Sequence, residues 1–116
     1  MPIVEVVHAA SVGEARLRRL AAALPHAVSL AVACPEEPYD HPLGPGDVDL
    51  RFRARGPLDS GGLDLVVHVH SKHHESRAAD RDARCERLRD AVLAQVDGCS
   101  VGVYLALPVA GWAQTS

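Results

Sequence analysis

Four stretches of the chain have the β-branched and alternating residues that are typical of β-strands. They are residues 3–8, 48–54, 65–70 and 101–107. A segment whose apolar residues recur three and four positions apart lies between the first and second stretches, and another lies between the third and fourth. This spacing predicts an amphipathic helix in each place. The order is therefore strand, helix, strand, and it occurs twice.

The two halves of the chain also resemble each other in sequence. Residues 14–20 (EARLRRL) align with residues 82–88 (DARCERL). A strand–helix–strand unit implies two parallel strands joined by a crossover. We therefore predict an α+β fold in which two βαβ repeats (βαββαβ) form a four-stranded mixed sheet with two helices on one face. The predicted single domain, 1–116, consists of repeat one at 2–56, repeat two at 63–108 and a short C-terminal tail at 110–116.

The bounds of the helices can also be predicted. Ser11 and Glu14 have the capping-box spacing, which predicts the start of the first helix at this point. Pro25 interrupts that helix, so residues 27–33 form either a second short helix or an extension past a kink. The second helix is predicted over roughly residues 79–96. Its expected inward positions are Cys85, Leu88, Val92 and Val96.

Alternation along the predicted strands gathers polar side chains on one face of the sheet. Successive strand residues point to opposite faces, so Arg51 shares a side with Arg53, and His68 shares a side with His70. Glu5 lies opposite its apolar neighbours on the first strand. We expect these residues on the face that no helix covers, with Glu5 as an ion-pair partner of an arginine. Oligomerisation through that face or its edges is expected, because a sheet of four short strands is only a small barrier against solvent.

Composition narrows the class of protein. The chain of 116 residues has a net charge of −3 and only one Phe, one Trp and two Tyr, which disfavours nucleic-acid binding. It has no long apolar run, so no membrane association is predicted. Three cysteines without CxxC spacing indicate unpaired thiols in a reducing, cytoplasmic environment. His68 and His70 have a spacing found in metal sites, but no third ligand has a predicted place beside them. Neither a metal nor another cofactor is therefore expected.

The N-terminus adds a chemical feature to this predicted fold. The chain begins Met1-Pro2 directly before the first strand, and the second strand contains the sequence RFRA at residues 51–54. The sequence Glu75-Ser76-Arg77 stands before the second helix. Together with the two βαβ units, these features resemble the tautomerase superfamily, which includes 4-oxalocrotonate tautomerase. They look most similar to its 5-carboxymethyl-2-hydroxymuconate isomerase branch.

This resemblance implies a tautomerase or isomerase that moves a proton in an unsaturated keto or hydroxy acid. Once Met1 is removed, the secondary amine of Pro2 would act as general base and acid. A free α-amine has a pKa of about 7.7–8.0, close to neutrality, where a base transfers protons best. The implied substrate-binding residues are Arg51, Arg53 and Arg77. Separately from the resemblance, Glu5, His68 and His70 are candidate pocket residues because they share the uncovered face of the sheet. The implied partners are a small-molecule carboxylic acid and further copies of the chain, in a homotrimer with its sites between subunits.

Two alternatives remain open from the sequence. The βαββαβ order also occurs in ferredoxin-like domains, including dimeric α+β barrels that serve as enzymes or binding proteins. In such a barrel His68 and His70 would line a pocket, and Pro2 would be inert. The other alternative is a non-catalytic oligomer with the tautomerase fold. Only the proton-transfer enzyme requires the removal of Met1.

Overall fold

The computed structural model describes residues 1–115, and its regular elements follow the predicted order. The four strands are β1 (Ile3–His8), β2 (Asp49–Ala54), β3 (Leu65–His70) and β4 (Val101–Ala106). The helices are α1 (Glu14–Val32), α2 (Glu75–Ala79) and α3 (Arg81–Leu93), with short 3₁₀ turns at Ala10–Val12 and Pro38–Asp40. Each predicted strand is present within one residue of its predicted bounds.

The strands form one mixed sheet in the order β2-β1-β3-β4. β1 is parallel to β2, and β3 is parallel to β4, while β1 and β3 are antiparallel at the centre. The predicted α+β fold with a four-stranded mixed sheet is confirmed. The two strands of each βαβ unit are direct neighbours, whereas the split βαβ unit of ferredoxin-like domains has another strand between them. The ferredoxin-like alternative is therefore wrong for this chain.

One face of the sheet carries the hydrophobic core. Val4 and Val6 on β1 and Leu65, Val67 and Val69 on β3 are fully buried. The inward residues of both main helices belong to the same core cluster, so α1 and α3 cover the same face, as predicted. These helix residues are Leu20, Leu24, Val28, Val32, Leu88 and Val92.

The first helix differs from the prediction at its start. It begins at Glu14 after Gly13, whose φ of +85° is in the region that favours glycine, and no side chain caps it. Ser11 lies in the preceding 3₁₀ turn, so the capping-box interpretation is wrong. Pro25 lies inside one continuous helix. The extension is the correct alternative, because the buried stripe of apolar residues continues on both sides of Pro25.

The helix predicted over roughly residues 79–96 is present as α3, Arg81–Leu93, and a separate short helix, α2, precedes it. α2 ends at Ala79, and Asp80 adopts a non-helical φ of −127° and ψ of 37° before α3 begins. Leu88, Val92 and Val96 are buried as predicted. Cys85 is only half-buried, because it lies beside the exposed edge strand β4.

The remaining features concern the thiols and the chain end. All three cysteines are free, as expected. Within residues 1–115, every helix is too short or too polar to cross a lipid bilayer. The tail from residue 110 to 115 has no regular secondary structure and is exposed. Ser116, the last residue of the predicted tail, lies outside the described residues.

Candidate functional site

The face of the sheet opposite the helices, here called the open face, carries the predicted polar residues. Arg51, Glu5, His68 and Tyr104 lie side by side in one row across β2, β1, β3 and β4. The adjacent row, nearer the N-terminus, places Asp49, Ile3 and His70 together. Arg53 lies on the same face, in the row that follows the Arg51 row along β2, and its strand partner on β1 is Val7. The fold thus brings Glu5, Arg51, Arg53, His68 and His70 to one face.

Arg51 forms an ion pair different from the expected one. Its Nη2 lies 2.7 Å from Oδ2 of Asp49, two residues earlier on the same strand and face. The hydrogen bonds and the charge of Asp49, with a smaller effect from Glu5, raise the pKa of Arg51. Glu5 is therefore a neighbour of Arg51 and not its ion-pair partner. Within residues 1–115 no three His, Cys, Asp or Glu side chains form a group that could hold a metal ion.

Pro2 lies at the start of β1, on the helix-covered side. It is buried, and its backbone carbonyl accepts a hydrogen bond from the N–H of Asp49 at 3.2 Å. Strand residues advance about 3.3 Å each, so the backbone row of Arg51 lies about 10 Å from Pro2 and that of Arg53 about 17 Å. Because both arginines also point to the opposite face, the fold of one chain does not bring them to Pro2.

Two cavities adjoin the N-terminus, and Met1 and Trp112 line both of them. Cavity A, of about 80 Å³, also contains Ile3, His70 and Lys72 in its wall. Cavity B, of about 340 Å³, is formed largely by the loop after α1 and by the C-terminal tail. Its lining includes Tyr39, Asp40, Leu43, Asp47 and Gln114. Of the residues predicted for the site, only His70 lines a cavity here.

Arg77 is completely buried and contacts Asp40, which lines cavity B. Its guanidinium donates from Nη1 to Oε1 of Glu37 at 3.0 Å and from Nη2 to Oδ2 of Asp40 at 3.4 Å. It also donates to the carbonyl oxygens of Val32 and Lys72, each at 2.7 Å. The prediction placed Arg77 in a substrate site, whereas the structure places it among partners supplied by the protein itself, with no surface open to a ligand.

Two arginines from the second repeat donate hydrogen bonds to the carbonyl oxygens at the end of α1. The last carbonyls of a helix have no partner within the helix, and α1 has no basic residue in its last turn. Arg77 binds the carbonyl of Val32, and Arg84 donates to those of Ala31 and Ala33 at 2.9 and 2.8 Å. These contacts fix the loop that follows α1, and this loop carries Tyr39 and Asp40 to cavity B.

Glu37 is the centre of the buried charged cluster. It accepts hydrogen bonds from Tyr39 Oη at 2.7 Å and from Arg77, and Nε2 of His74 lies 3.3 Å from its Oε1 without hydrogen-bonding geometry. Burial alone would raise the pKa of Glu37. The hydrogen bonds from Tyr39 and Arg77, together with the positive charge of Arg77, outweigh burial and hold this pKa below its usual value. The same bond to Glu37 raises the pKa of Tyr39.

Asp40 connects this cluster to the chain terminus. One of its oxygens faces Arg77, and the other, Oδ1, lies 4.0 Å from the N-terminal nitrogen of Met1. Sequence reasoning missed Asp40, Lys72 and Trp112. They come from the loop after α1, the end of β3 and the tail, so no spacing along the chain relates them.

The pH dependence of unfolding tests the role of Glu37. Its folded pKa is below the ordinary value of 4.5. Its ionisation therefore stabilises the fold fully above that pH, and the stabilisation is lost as pH falls through the folded pKa. We expect Glu37→Gln to lower the free energy of unfolding at neutral pH and to flatten its decline in acid. Urea unfolding at several pH values measures both effects.

The control for this experiment is Glu14→Gln, because Glu14 pairs with Arg18 on the exposed surface of α1. That variant should keep the acid dependence of the original chain. An acid decline in Glu37→Gln as steep as in the original chain would contradict the assignment of Glu37 as a stabilising buried carboxylate.

Comparison with known proteins gives matches at the level of structure. No family model matches the sequence, and no curated protein matches it. MIF2 from Leishmania major has a TM-score of 0.61 at 18% identity, covering 99% of this chain and 96% of that chain. A symmetric trimer of fused wild-type 4-OT has a TM-score of 0.60 at 19% identity, covering 92% and 85%. Malonate semialdehyde decarboxylase has a TM-score of 0.65 at 17% identity, covering 98% and 91%.

These neighbours are members of the tautomerase superfamily. Identities this low establish the fold and not the activity, and the likeness extends over nearly the whole chain. The order and pairing of the strands and the placement of both main helices on one face agree with it. The chain therefore has the fold of the tautomerase superfamily, as its N-terminal Met-Pro and its paired βαβ units indicated.

Proposed function

We propose that this protein is a tautomerase or isomerase whose general base and acid is the secondary amine of Pro2. The fold supports an enzyme of this class, since its structural neighbours include 4-OT and a decarboxylase described as having decarboxylase and hydratase activities. The reaction is the transfer of a proton within an unsaturated keto or hydroxy acid. It needs no cofactor, and we place it in the cytoplasm.

The position of Met1 is the observation that carries this proposal. Met1 lines both cavities A and B, so the two cavities adjoin at this residue. While Met1 is attached, the nitrogen of Pro2 belongs to an amide and has no useful basicity. Removal of Met1 would uncover the amine where the two cavities adjoin. A base with a pKa near neutrality would then lie at the centre of a continuous space.

The basic residues of cavity A suit the carboxylate of a substrate. Lys72 is the only lysine of the chain, and it lines cavity A beside His70. An ammonium group binds a carboxylate through charge-assisted hydrogen bonds. With the carboxylate held there, Pro2 removes a proton from one atom of the conjugated system and returns it to another. The atoms of the substrate are conserved, and Pro2 ends the cycle as the neutral amine.

The arginines of the open face act between copies of the chain in this proposal. We assign the chain to a homotrimer in which the open face meets other copies, and one neighbour among the known structures is a symmetric trimer. In that assembly Arg51 and Arg53 serve the Pro2 of an adjacent copy, while Glu5 and His68 lie in or beside the interface. Arg77 acts indirectly, by holding Asp40 and Glu37 in place. Sedimentation equilibrium tests the assembly, and a monomer or dimer would contradict it.

The experiment that tests the function compares two forms of the chain that differ only in Met1. Cleavage of a removable N-terminal tag yields one form that begins at Met1 and another that begins at Pro2, and intact mass verifies each. We expect enol–keto conversion of unsaturated keto acids, followed by ultraviolet absorbance, only with the form that begins at Pro2. Equal turnover by both forms would show that the amine of Pro2 is not the base. Turnover by neither form would favour the non-catalytic oligomer.

A further inference from the structure

The two cavities at the N-terminus differ in charge. Cavity A has Lys72 and His70 in its lining and, among its described lining residues, no acid. Cavity B has Asp40 and Asp47 and, among its described lining residues, no lysine, arginine or histidine. A substrate that extends through the space left by Met1 would therefore meet a basic end and an acidic end.

The two acids of cavity B contribute unequally to its charge. Asp40 is buried, and Arg77 behind it offsets much of its charge. Asp47 is exposed, and its Oδ2 accepts a hydrogen bond from the N–H of Gly44 at 2.8 Å. Its other oxygen is not involved in that turn. Tyr39, on the same wall, directs its hydroxyl hydrogen to Glu37, so its oxygen is also an acceptor. Cavity B thus offers a negative charge and hydrogen-bond acceptors.

We propose that the substrate of this site carries one carboxylate, bound at Lys72, and an uncharged hydroxyl or amino donor at its far end, bound at Asp47. A dicarboxylate is the wrong substrate class, because its second carboxylate would face Asp40 and Asp47, and the described lining of cavity B supplies no lysine, arginine or histidine of the same chain to bind it. Like charges placed together in an interface are strongly unfavourable. This inference rests on the proposed function, since it requires Met1 to be removed and the cavities to be joined.

The experiment measures binding by calorimetry to the form of the chain that begins at Pro2. The probes are 5-hydroxy-2-oxopentanoate and 2-oxoglutarate, which have the same carbon chain and differ in the terminal hydroxyl or carboxylate. We expect the hydroxy acid to bind at least about tenfold more tightly, in line with the effect of one misplaced charge near a protein surface. Lys72→Met should weaken both ligands, because both use their first carboxylate there.

Asp47→Asn is the variant that tests the acidic end, and the chain offers a matched control for it. Asparagine keeps the acceptor for Gly44 while removing the charge. Asp59 accepts from the N–H of Gly56 at 2.7 Å in a turn of the same form, away from both cavities. We expect Asp47→Asn to reduce the preference for the hydroxy acid severalfold and Asp59→Asn to leave it unchanged.

Three outcomes would overturn the inference: equal or tighter binding of 2-oxoglutarate, no binding of either ligand, or an unchanged preference in Asp47→Asn. Because binding is measured without turnover, failure here is distinct from failure of the proposed function. A preference for the hydroxy acid without any turnover would support this site and remove the proton-transfer activity. Turnover that favours dicarboxylates would support the proton-transfer activity and overturn the proposed substrate preference.

Discussion

Replacement of Pro2 by Ala, in protein that lacks Met1, is expected to lower kcat for proton transfer by about a hundredfold. The variant keeps an α-amine, so the loss arises from position and not from the absence of a base. The ring of proline prevents rotation about the N–Cα bond, and Pro2 is buried at the start of β1, which together fix the direction of the lone pair on its nitrogen. The primary amine of alanine rotates about that bond, and small misplacements of a catalytic group reduce the rate steeply.

The measurement is steady-state turnover of the same keto acid by the original and variant proteins. Pro57→Ala is the matched control, because Pro57 lies in the exposed turn after β2 and its replacement should leave kcat unchanged. Urea unfolding verifies that Pro2→Ala remains folded. Unchanged kcat in folded Pro2→Ala would show that the N-terminal nitrogen does not need the constraint of the ring and would count against Pro2 as the catalytic residue.

The largest expected effect on stability comes from Arg77→Met. Removal of one partner from a buried ion pair costs about 3–5 kcal/mol, because it leaves an uncompensated charge in the interior. Arg77 is fully buried and faces both Glu37 and Asp40, each about 3% exposed. The variant also leaves the carbonyl of Val32, at the end of α1, without its partner. The free energy of unfolding in urea measures the loss.

Two further variants separate the buried charge from other causes. Arg18→Met makes the same replacement in an exposed ion pair with Glu14, and such pairs contribute little, so no clear change is expected. Glu37→Gln and Asp40→Asn combined with Arg77→Met should recover part of the lost stability, because they remove the unpaired charges. If Arg77→Met costs no more than Arg18→Met, the buried cluster does not stabilise the fold as described.

The sequence was sufficient to predict the strands and their two faces. The side chains of a strand alternate with a period of two, so Val4 and Val6 had to face one side and Glu5 the other, whatever the partners were. The same rule placed Arg51 with Arg53 and His68 with His70. Local patterns were less reliable where tertiary contacts competed. Ser11 had the spacing of a helix cap, but it lies in a 3₁₀ turn whose Val12 is buried in the core, and α1 starts only after Gly13.

Only the tertiary structure decided the surroundings of Pro2. The sequence indicated a proline that would be N-terminal after loss of Met1, but the cavities beside Met1 are formed largely by the loop after α1, the end of β3 and the C-terminal tail. These segments are far apart in the chain, so no periodicity connects Asp40, Lys72 and Trp112. The surroundings of Arg77 could not be predicted from the sequence either. Its sequence context suggested a ligand, whereas the fold surrounds it with Glu37, Asp40 and the end of α1, because an arginine this deeply buried must have all its charge and most of its donors satisfied by the protein.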